Sequence, residues 1–179
     1  MTFPALTGTP VLETERLILR TFIPADLPAF RAYATSSDRT RYTGGPKPEY
    51  AVQEKFASMI GHWCLRGFGR FAITCRETGR AMGHVGPFQL TDLAGPELTW
   101  TLWSDEFEGQ GFALEAARRV NVWLARDLGW RHARCEIDAD NTPSRQLAEK
   151  LGGALDGTAA PGWMANGVTY RFDLASVEA

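Results

Sequence analysis

The strongest pattern in the sequence is a helical repeat that begins at Phe112, directly after a pair of glycines. Apolar residues recur at helical spacing and define one face: Ala113, Ala117, Val120, Leu124 and Leu128. Gly129 follows and is well placed to end the helix. Before the glycines, residues 97–103 (ELTWTLW) alternate between two faces, which predicts a strand. The sequence therefore contains a strand, a glycine turn and an amphipathic helix in immediate succession.

The remaining segments predict further strands and helices. Six strands are expected, at residues 14–20, 68–76, 81–90, 97–103, 131–140 and 168–174. Four helices are expected, at residues 23–36, 50–66, 112–128 and 141–151. The order βααβββαβαβ, with a hairpin around residues 77–80, predicts an α/β (α+β) domain with a mixed, largely antiparallel sheet flanked by helices. We expect a single domain over residues 1–179, in which residues 1–12 form a loose segment.

Composition excludes several classes of protein. The 179 residues are 44% hydrophobic and 22% charged, which predicts a packed core. A net charge of -2 without a dense basic run argues against nucleic acid as a partner. Three distant cysteines and three scattered histidines indicate neither a disulfide framework nor a metal site. No segment is typical of a signal peptide or a membrane span, so a cytoplasmic protein without a membrane partner is expected.

The glycine pair, Gly109 and Gly111, is the clearest candidate for a ligand site. Glycines allow close approach of a ligand to the backbone, and the free N–H groups and dipole of a helix N-terminus attract a phosphate. The alternative is a tight turn with no ligand. The pattern is neither a dinucleotide-binding fingerprint, because Leu114 stands at its third glycine position, nor a P-loop.

Residues 99–116 (TWTLWSDEFEGQGFALEA) resemble the pyrophosphate-binding segment of GNAT acetyltransferases, whose pattern is Arg/Gln-x-x-Gly-x-Gly/Ala. Glu108 occupies the first position of this pattern. The resemblance extends to TERLILR at residues 14–20 and to NTPSRQLAEKLGG at residues 141–153. It is strongest for the RimJ/RimL-like branch, which includes the ribosomal-protein alanine acetyltransferases. The resemblance implies the GNAT acyl-CoA N-acyltransferase fold, with acetyl-CoA as co-substrate and no metal.

The same resemblance implies where acetyl-CoA binds. Its pyrophosphate would lie on the backbone of the glycine turn, formed by Gly109, Gln110, Gly111, Phe112 and Ala113. Its pantetheine arm would pair with the strand at Leu102 and Trp103 and contact Asn141. Ser144 would lie near the thiol, and either Ser144 or a water would serve as the acid, because the tyrosine that many relatives carry four residues later is Ala148 here. Helix capping is the competing explanation for Asn141 and Ser144.

Glu97 is the candidate general base. Amine acetylation needs a group that accepts the proton of the amine, and Glu97 is the lone carboxylate on an otherwise apolar strand. Residues 96–100 (PELTW) stand where the RimJ/RimL-like branch has a P-E-I-G-W-like segment, with Thr99 in place of the glycine. The alternative is a carboxylate at a sheet edge that faces solvent.

The implied function is transfer of an acetyl group from acetyl-CoA to a primary amine, on a protein N-terminus or a small molecule, by direct attack in a ternary complex. The alternative is a non-catalytic acyl-CoA-binding module with the same fold, and a nucleotide-binding protein is a more distant one. Aromatic residues are candidates for the acceptor pocket, although each is also a candidate for the core: Tyr33, Tyr42, Phe71, Trp100 and Trp163. A homodimer is a further possibility that the resemblance raises.

Overall fold

An eight-stranded sheet runs through the computed structural model, which describes residues 6–89, 95–159 and 164–175. In chain order the strands are β1 (Leu12–Glu13), β2 (Leu17–Arg20), β3 (Phe71–Cys75), β4 (Ala81–Phe88), β5 (Glu97–Leu102), β6 (His132–Asp138), β7 (Ala154–Ala159) and β8 (Gly167–Asp173). Their order across the sheet is β1-β2-β3-β4-β5-β6-β8-β7. All neighbours are antiparallel except β5 and β6, which confirms the predicted mixed, largely antiparallel sheet.

Five α-helices flank this sheet in the described part of the chain. They are α1 (Leu27–Ala34), α2 (Ser37–Thr40), α3 (Glu49–Arg66), α4 (Phe112–Arg126) and α5 (Thr142–Lys150). Short 3₁₀ turns at Pro24–Asp26 and Asp105–Phe107 precede α1 and α4. The helix expected at residues 23–36 is therefore shorter, because the 3₁₀ turn at Pro24 occupies its start.

Two strands lie outside the six that the sequence predicts. β1 has two residues, which is too short for an alternating pattern, and it pairs with β2 through Leu12 and Glu13. β7 lies between the last expected helix and the last expected strand, where the sequence predicts no element, and it forms the edge of the sheet beside β8.

The sheet is covered on both faces by separate apolar clusters. Neighbouring residues of β3 point to opposite faces, so that Phe71 and Ile73 join the cluster under α4, whereas Ala72 joins the cluster under α1 and α3. α4 contributes Ala117, Val120 and Leu124 to the first cluster, as its apolar stripe predicts. These two layers hold the sheet rigidly between helices.

The sheet opens between β5 and β6. These parallel neighbours share one bridged pair, Glu97 with Arg134, and they diverge beyond it. α4 follows β5 and α5 follows β6, so the N-termini of both helices lie on the side where the strands separate. The result is a V-shaped gap in the middle of the sheet, closed at Glu97.

Candidate functional site

The gap opens into a cavity of about 480 Å³. Its walls come from α1, α3, β4, β5, β6 and α5, together with the segment between α2 and α3. The residues that line it include Tyr33, Lys55, Arg70, His84, Glu97, Thr99, Trp100, Glu136, Asn141 and Ser144. The structure thus brings Glu97, Trp100, Asn141 and Ser144 together, although they are spread over 48 positions of the sequence.

The glycine turn presents an uncapped helix N-terminus. Gly109 and Gly111 have φ values of 70° and 81°, a left-handed backbone conformation that residues other than glycine rarely adopt. Gly111 is the N-cap of α4 and offers no side chain, so the first N–H groups of the helix have no side-chain cap. Such a terminus fits the pyrophosphate of CoA, because its amides and dipole can bind an anion without a basic side chain.

Residues 13–16, which we call the N-terminal arm, form a polar network that fixes this turn. Glu115 accepts hydrogen bonds from the hydroxyl of Thr14 at 2.6 Å and from the backbone and side chain of Arg16 at 3.0 and 2.7 Å. Arg16 also donates to the carbonyl of Gln110 at 3.0 Å and packs 4.4 Å from the ring centre of Phe112. The arm therefore holds both the turn and the first residue of α4.

Glu108, at the position where the family pattern has Arg or Gln, forms an ion pair. Its carboxylate lies 2.7 Å from the guanidinium of Arg39, which also donates to the carbonyl of Leu102 at 2.8 Å. Arg39 comes from α2, far away in the sequence. A cation is thus present beside the glycine turn, but Glu108 neutralises it.

The backbone of β5 turns alternately to β4 and to the gap. Trp103 N–H donates to Met82 of β4, so by alternation Trp100 and Leu102 direct their backbone groups to the gap. The expected pairing of Trp103 with pantetheine is therefore corrected: its backbone is used by β4, and its side chain is buried. The backbone of Trp100 and the N–H of Leu102 are the groups aimed at a ligand in the gap, since the Leu102 carbonyl already accepts from Arg39.

Two carboxyl groups face each other at the closed end of the gap, Glu97 from β5 and Glu136 from β6. Burial raises the pKa of Glu97, and burial together with the Glu97 charge raises the pKa of Glu136 to about 7. The Glu136 side chain is only 2% exposed, and its Oε2 atom has no well-formed hydrogen bond within the described residues. The pair therefore holds one proton near neutral pH, with Glu97 the more readily ionised partner.

Ser144 accepts a hydrogen bond from the indole N–H of Trp100 at 2.9 Å. Because this bond uses a lone pair of the Ser144 oxygen, the hydroxyl proton is free to be donated elsewhere. The side chain of Asn141 accepts from the Ser144 N–H at 3.3 Å, so it caps α5, as the structural alternative expected. Ala148 is completely buried and is not among the residues that line the cavity.

His84 is a buried neutral donor on the wall of the cavity. The indole N–H of Trp103 donates to its Nδ1 at 2.9 Å, so the proton of the neutral ring lies on Nε2. Burial, with the positive charges of Arg70 and Lys55, lowers its pKa well below the usual value. His84 therefore stays neutral across the physiological pH range.

The aromatic residues expected in an acceptor pocket divide into two groups. Tyr33, Tyr42 and Trp100 line the cavity, and the hydroxyl of Tyr33 hydrogen-bonds to Thr43 at 2.9 Å. Phe71 instead is fully buried between Trp63 and Trp123, with ring centres 4.9 and 5.1 Å apart, so it is a core residue. Trp163 lies outside the described residues.

Several residues that line the cavity are not predicted by the sequence. Glu136 alternates with apolar residues on its strand just as Glu97 does, and that shared pattern was the available signal. Lys55 on α3 and Arg70, the residue before β3, give no local signal, because only the packing of these elements brings them to the cavity.

Within the described ranges no cluster of three or more His, Cys, Asp or Glu side chains is arranged to hold a metal ion. The same part of the chain contains no helix that is both long and apolar enough to span a membrane.

A split sheet, with a glycine-capped helix N-terminus after β5 and carboxyl groups at the closed end of the gap, fits an acyltransferase that uses a phosphate-bearing carrier. Residues 16–154 match the family described as "Acetyltransferase (GNAT) domain". The chain therefore belongs to the GNAT acetyltransferases, a family that uses acetyl-CoA.

Similar proteins agree with this assignment. The uncharacterized N-acetyltransferase YoaA of Bacillus subtilis (strain 168) is 28% identical over 174 residues, which cover 94% of this chain and 96% of YoaA. The crystal structure of an acetyltransferase from Agrobacterium tumefaciens str. C58 superposes with a TM-score of 0.85 at 30% identity, covering 96% of this chain and 99% of that one. The ribosomal-protein-S5-alanine acetyltransferase of Vibrio fischeri shares the fold, with a TM-score of 0.68, 15% identity and coverage of 96% and 100%.

Proposed function

We propose that this acetyltransferase moves the acetyl group of acetyl-CoA to a primary amine, which attacks the thioester directly in a ternary complex. The observation that carries the proposal is the Glu97–Glu136 pair, a partly ionised carboxyl pair at the closed end of the gap. An amine of pKa 8 to 10 is mostly protonated at neutral pH, so a buried carboxylate beside it is needed to accept its proton.

Acetyl-CoA would lie along β5, with its phosphates on the N-terminus of α4 and its thioester near Trp100. The uncapped amides at Gly111 support the first contact. The backbone N–H of Trp100, which points to the gap by alternation, is the candidate donor to the thioester oxygen. A fixed N–H aimed at a developing negative charge is the usual device for acyl transfer.

The proton steps balance. The Glu97 carboxylate accepts a proton from the ammonium group, and the free amine forms a bond to the acetyl carbon. The carbon–sulfur bond then breaks, the sulfur takes the electron pair, and Ser144 donates its hydroxyl proton to the thiolate. The second proton, which the nitrogen loses as the amide forms, passes through water to Ser144 and restores its hydroxyl, and Glu97 releases the first proton to solvent as the products leave. Glu136, which carries the shared proton, donates to Glu97 and keeps it ionised.

A release assay tests the proposal directly. The purified chain is mixed with acetyl-CoA and a panel of amines, including peptides that begin with alanine or serine and small-molecule amines, and free thiol is measured. Amine-dependent thiol release together with the acetylated amine supports the proposal. Binding of acetyl-CoA by calorimetry without thiol release for any amine would instead establish the non-catalytic alternative.

The RimJ/RimL-like assignment concerns the acceptor and rests on the sequence segments that resemble that branch. Structures at 15% identity support the shared fold and say nothing of the acceptor. Acetylation of alanine-starting peptides in the same assay is the result that this assignment predicts.

A further inference from the structure

The cavity wall beside Glu97 carries two cations, Arg70 and Lys55, on one aromatic ring. The guanidinium carbon of Arg70 lies 4.0 Å from the ring centre of Phe88, and Nζ of Lys55 lies 4.8 Å from the same centre. Arg70 also donates to the hydroxyl of Thr99 at 2.8 Å. These contacts hold both positive groups in place at the cavity surface.

Neither cation has an ion pair with a carboxylate among the described residues. Other half-buried arginines do, such as Arg20 with Asp26 at 2.7 Å and Arg39 with Glu108 at 2.7 Å. Desolvation and the neighbouring positive charge of Arg70 lower the pKa of Lys55 to about 8, and burial lowers the pKa of Arg70 to about 10. The nearby Glu97 carboxylate offsets part of the cost of burying Arg70, since it acts to raise the Arg70 pKa, and an anionic ligand would offset more of the cost of holding two like charges out of water.

The position of these cations relates them to the proposed amine site. Arg70 is bonded to Thr99, which lies on the same face of β5 as Glu97 and two residues further along, a distance of about 6.5 Å between Cα atoms. A small ligand could therefore place an amine beside Glu97 and an anionic group beside Arg70 with only a few bonds between the two groups. His84 adds a neutral Nε2–H donor on the same wall.

We propose that the acceptor is a small amine that also carries a carboxylate, an amino acid, whose carboxylate binds Arg70 and Lys55 while its amine faces Glu97. The proposal deepens the proposed function and rests on it. It makes Arg70 and Lys55 residues that determine the specificity of the acceptor, with no part in the binding of acetyl-CoA.

The test compares amino acids with their amides, for example alanine with alaninamide and phenylalanine with phenylalaninamide, as acceptors. The amide removes the negative charge and also lowers the pKa of the amine, so more of it is in the reactive free form. The wild-type protein is expected to prefer the acid in kcat/KM by roughly 10- to 100-fold, as expected for a lost charge-assisted hydrogen bond. Equal or better turnover of the amide by the wild-type protein overturns the proposal.

Variants identify the groups responsible. Arg70→Met and Lys55→Met keep an apolar stem, and each is expected to reduce the preference for the acid while the KM for acetyl-CoA is unchanged. Lys150→Met, an exposed lysine on α5, is the matched control and is expected to leave the preference intact. If Arg70→Met fails to fold by thermal melting, Lys55→Met decides the question. A variant that slows acid and amide equally contradicts the role in specificity.

A binding measurement separates failure of the anion site from failure of the proposed catalytic function. If no amine releases thiol, the binding of N-acetylalanine and of N-acetylalaninamide is measured by calorimetry with CoA present. Binding of the acid that is lost in Arg70→Met supports an anion site even without catalysis. Equal affinity for the two compounds overturns the site itself.

Discussion

At the scale of single residues, the chemistry of the site depends on surroundings more than on residue type. Glu97 and Glu136 are ordinary glutamates on neighbouring strands, but burial raises the pKa of both carboxyl groups, and the Glu97 charge adds to the rise at Glu136. His84 experiences the opposite change, because desolvation and two neighbouring cations lower its pKa. The three groups thus have different protonation states at the same pH, which separates a base, a proton-bearing partner and a neutral donor.

Glu97→Gln is expected to lower turnover by about 10² or more near neutral pH, because the amide cannot accept the proton of the amine. Steady-state rates of thiol release measure the effect. Calorimetry with acetyl-CoA serves as the control and should give an unchanged affinity. Unchanged turnover across the pH range would remove Glu97 from the mechanism.

Glu136→Gln tests the shared proton through stability. The folded pKa of Glu136, about 7, exceeds the usual value of 4.5, so its contribution to stability is complete below pH 4.5 and is lost as the pH rises through 7. The wild-type protein is therefore expected to lose unfolding free energy relative to Glu136→Gln between pH 5 and pH 8. Urea unfolding of both proteins at these two pH values measures the difference. Parallel pH dependence of the two proteins contradicts the raised pKa.

At the scale of elements, the glycine turn and the arm that holds it act as one unit. The sequence predicted the helix, its start and the glycines from local pattern, because propensity and capping act over a few residues. The contacts of Arg16 and Glu115 link residues about 100 positions apart, and no local pattern encodes them. Ser144 was predicted beside the thiol by resemblance, but its bond to Trp100 depends on how α5 packs against β5.

Glu115→Gln is expected to raise the KM for acetyl-CoA several-fold, by roughly 5- to 10-fold, with kcat little changed, because the turn loses a charged anchor. Initial rates at varied acetyl-CoA give both constants. The matched control is Glu13→Gln, which removes an exposed pair with Arg76 on the same arm. An equal change in both variants assigns the effect to the arm in general and removes Glu115 as the specific anchor.

Glu108→Gln is expected to tighten acetyl-CoA binding by about 3- to 10-fold. The substitution removes a negative charge beside the turn and leaves the guanidinium of Arg39 with the longer pair to Asp105 at 3.7 Å, so more of its positive charge is available to the phosphates. Calorimetry measures the dissociation constant. Glu106→Gln makes the same charge change in a pair with Arg80 and should have a smaller effect. Weaker binding by Glu108→Gln shows that the ion pair positions the site.

At the scale of the whole molecule, two apolar layers hold a sheet whose middle is open. The order of elements predicted the type of sheet, since hairpins and crossovers follow from element order. It could not predict which aromatic residues face the cavity. Phe71 and Tyr33 look alike in sequence, and only the pairing of β3 with its neighbours turns Phe71 into the layer under α4.

Phe71→Ala is expected to destabilise the protein by about 3 to 5 kcal/mol, as truncation of a fully buried aromatic ring does. Chemical unfolding measures the loss. At a temperature where the variant stays folded, the KM for the acceptor should match that of the wild-type protein. A raised acceptor KM with intact stability would return Phe71 to the acceptor pocket.

The single bridge between β5 and β6 leaves two strand edges facing each other across the gap. An unpaired edge can pair with a strand of another chain, so native proteins usually cover or blunt such edges. Here they are turned inward, and the proposed ligand that lies along β5 also covers the edge. Bound acetyl-CoA would thus protect this edge from pairing with another chain, and the protein is expected to aggregate more slowly in solution when its co-substrate is present.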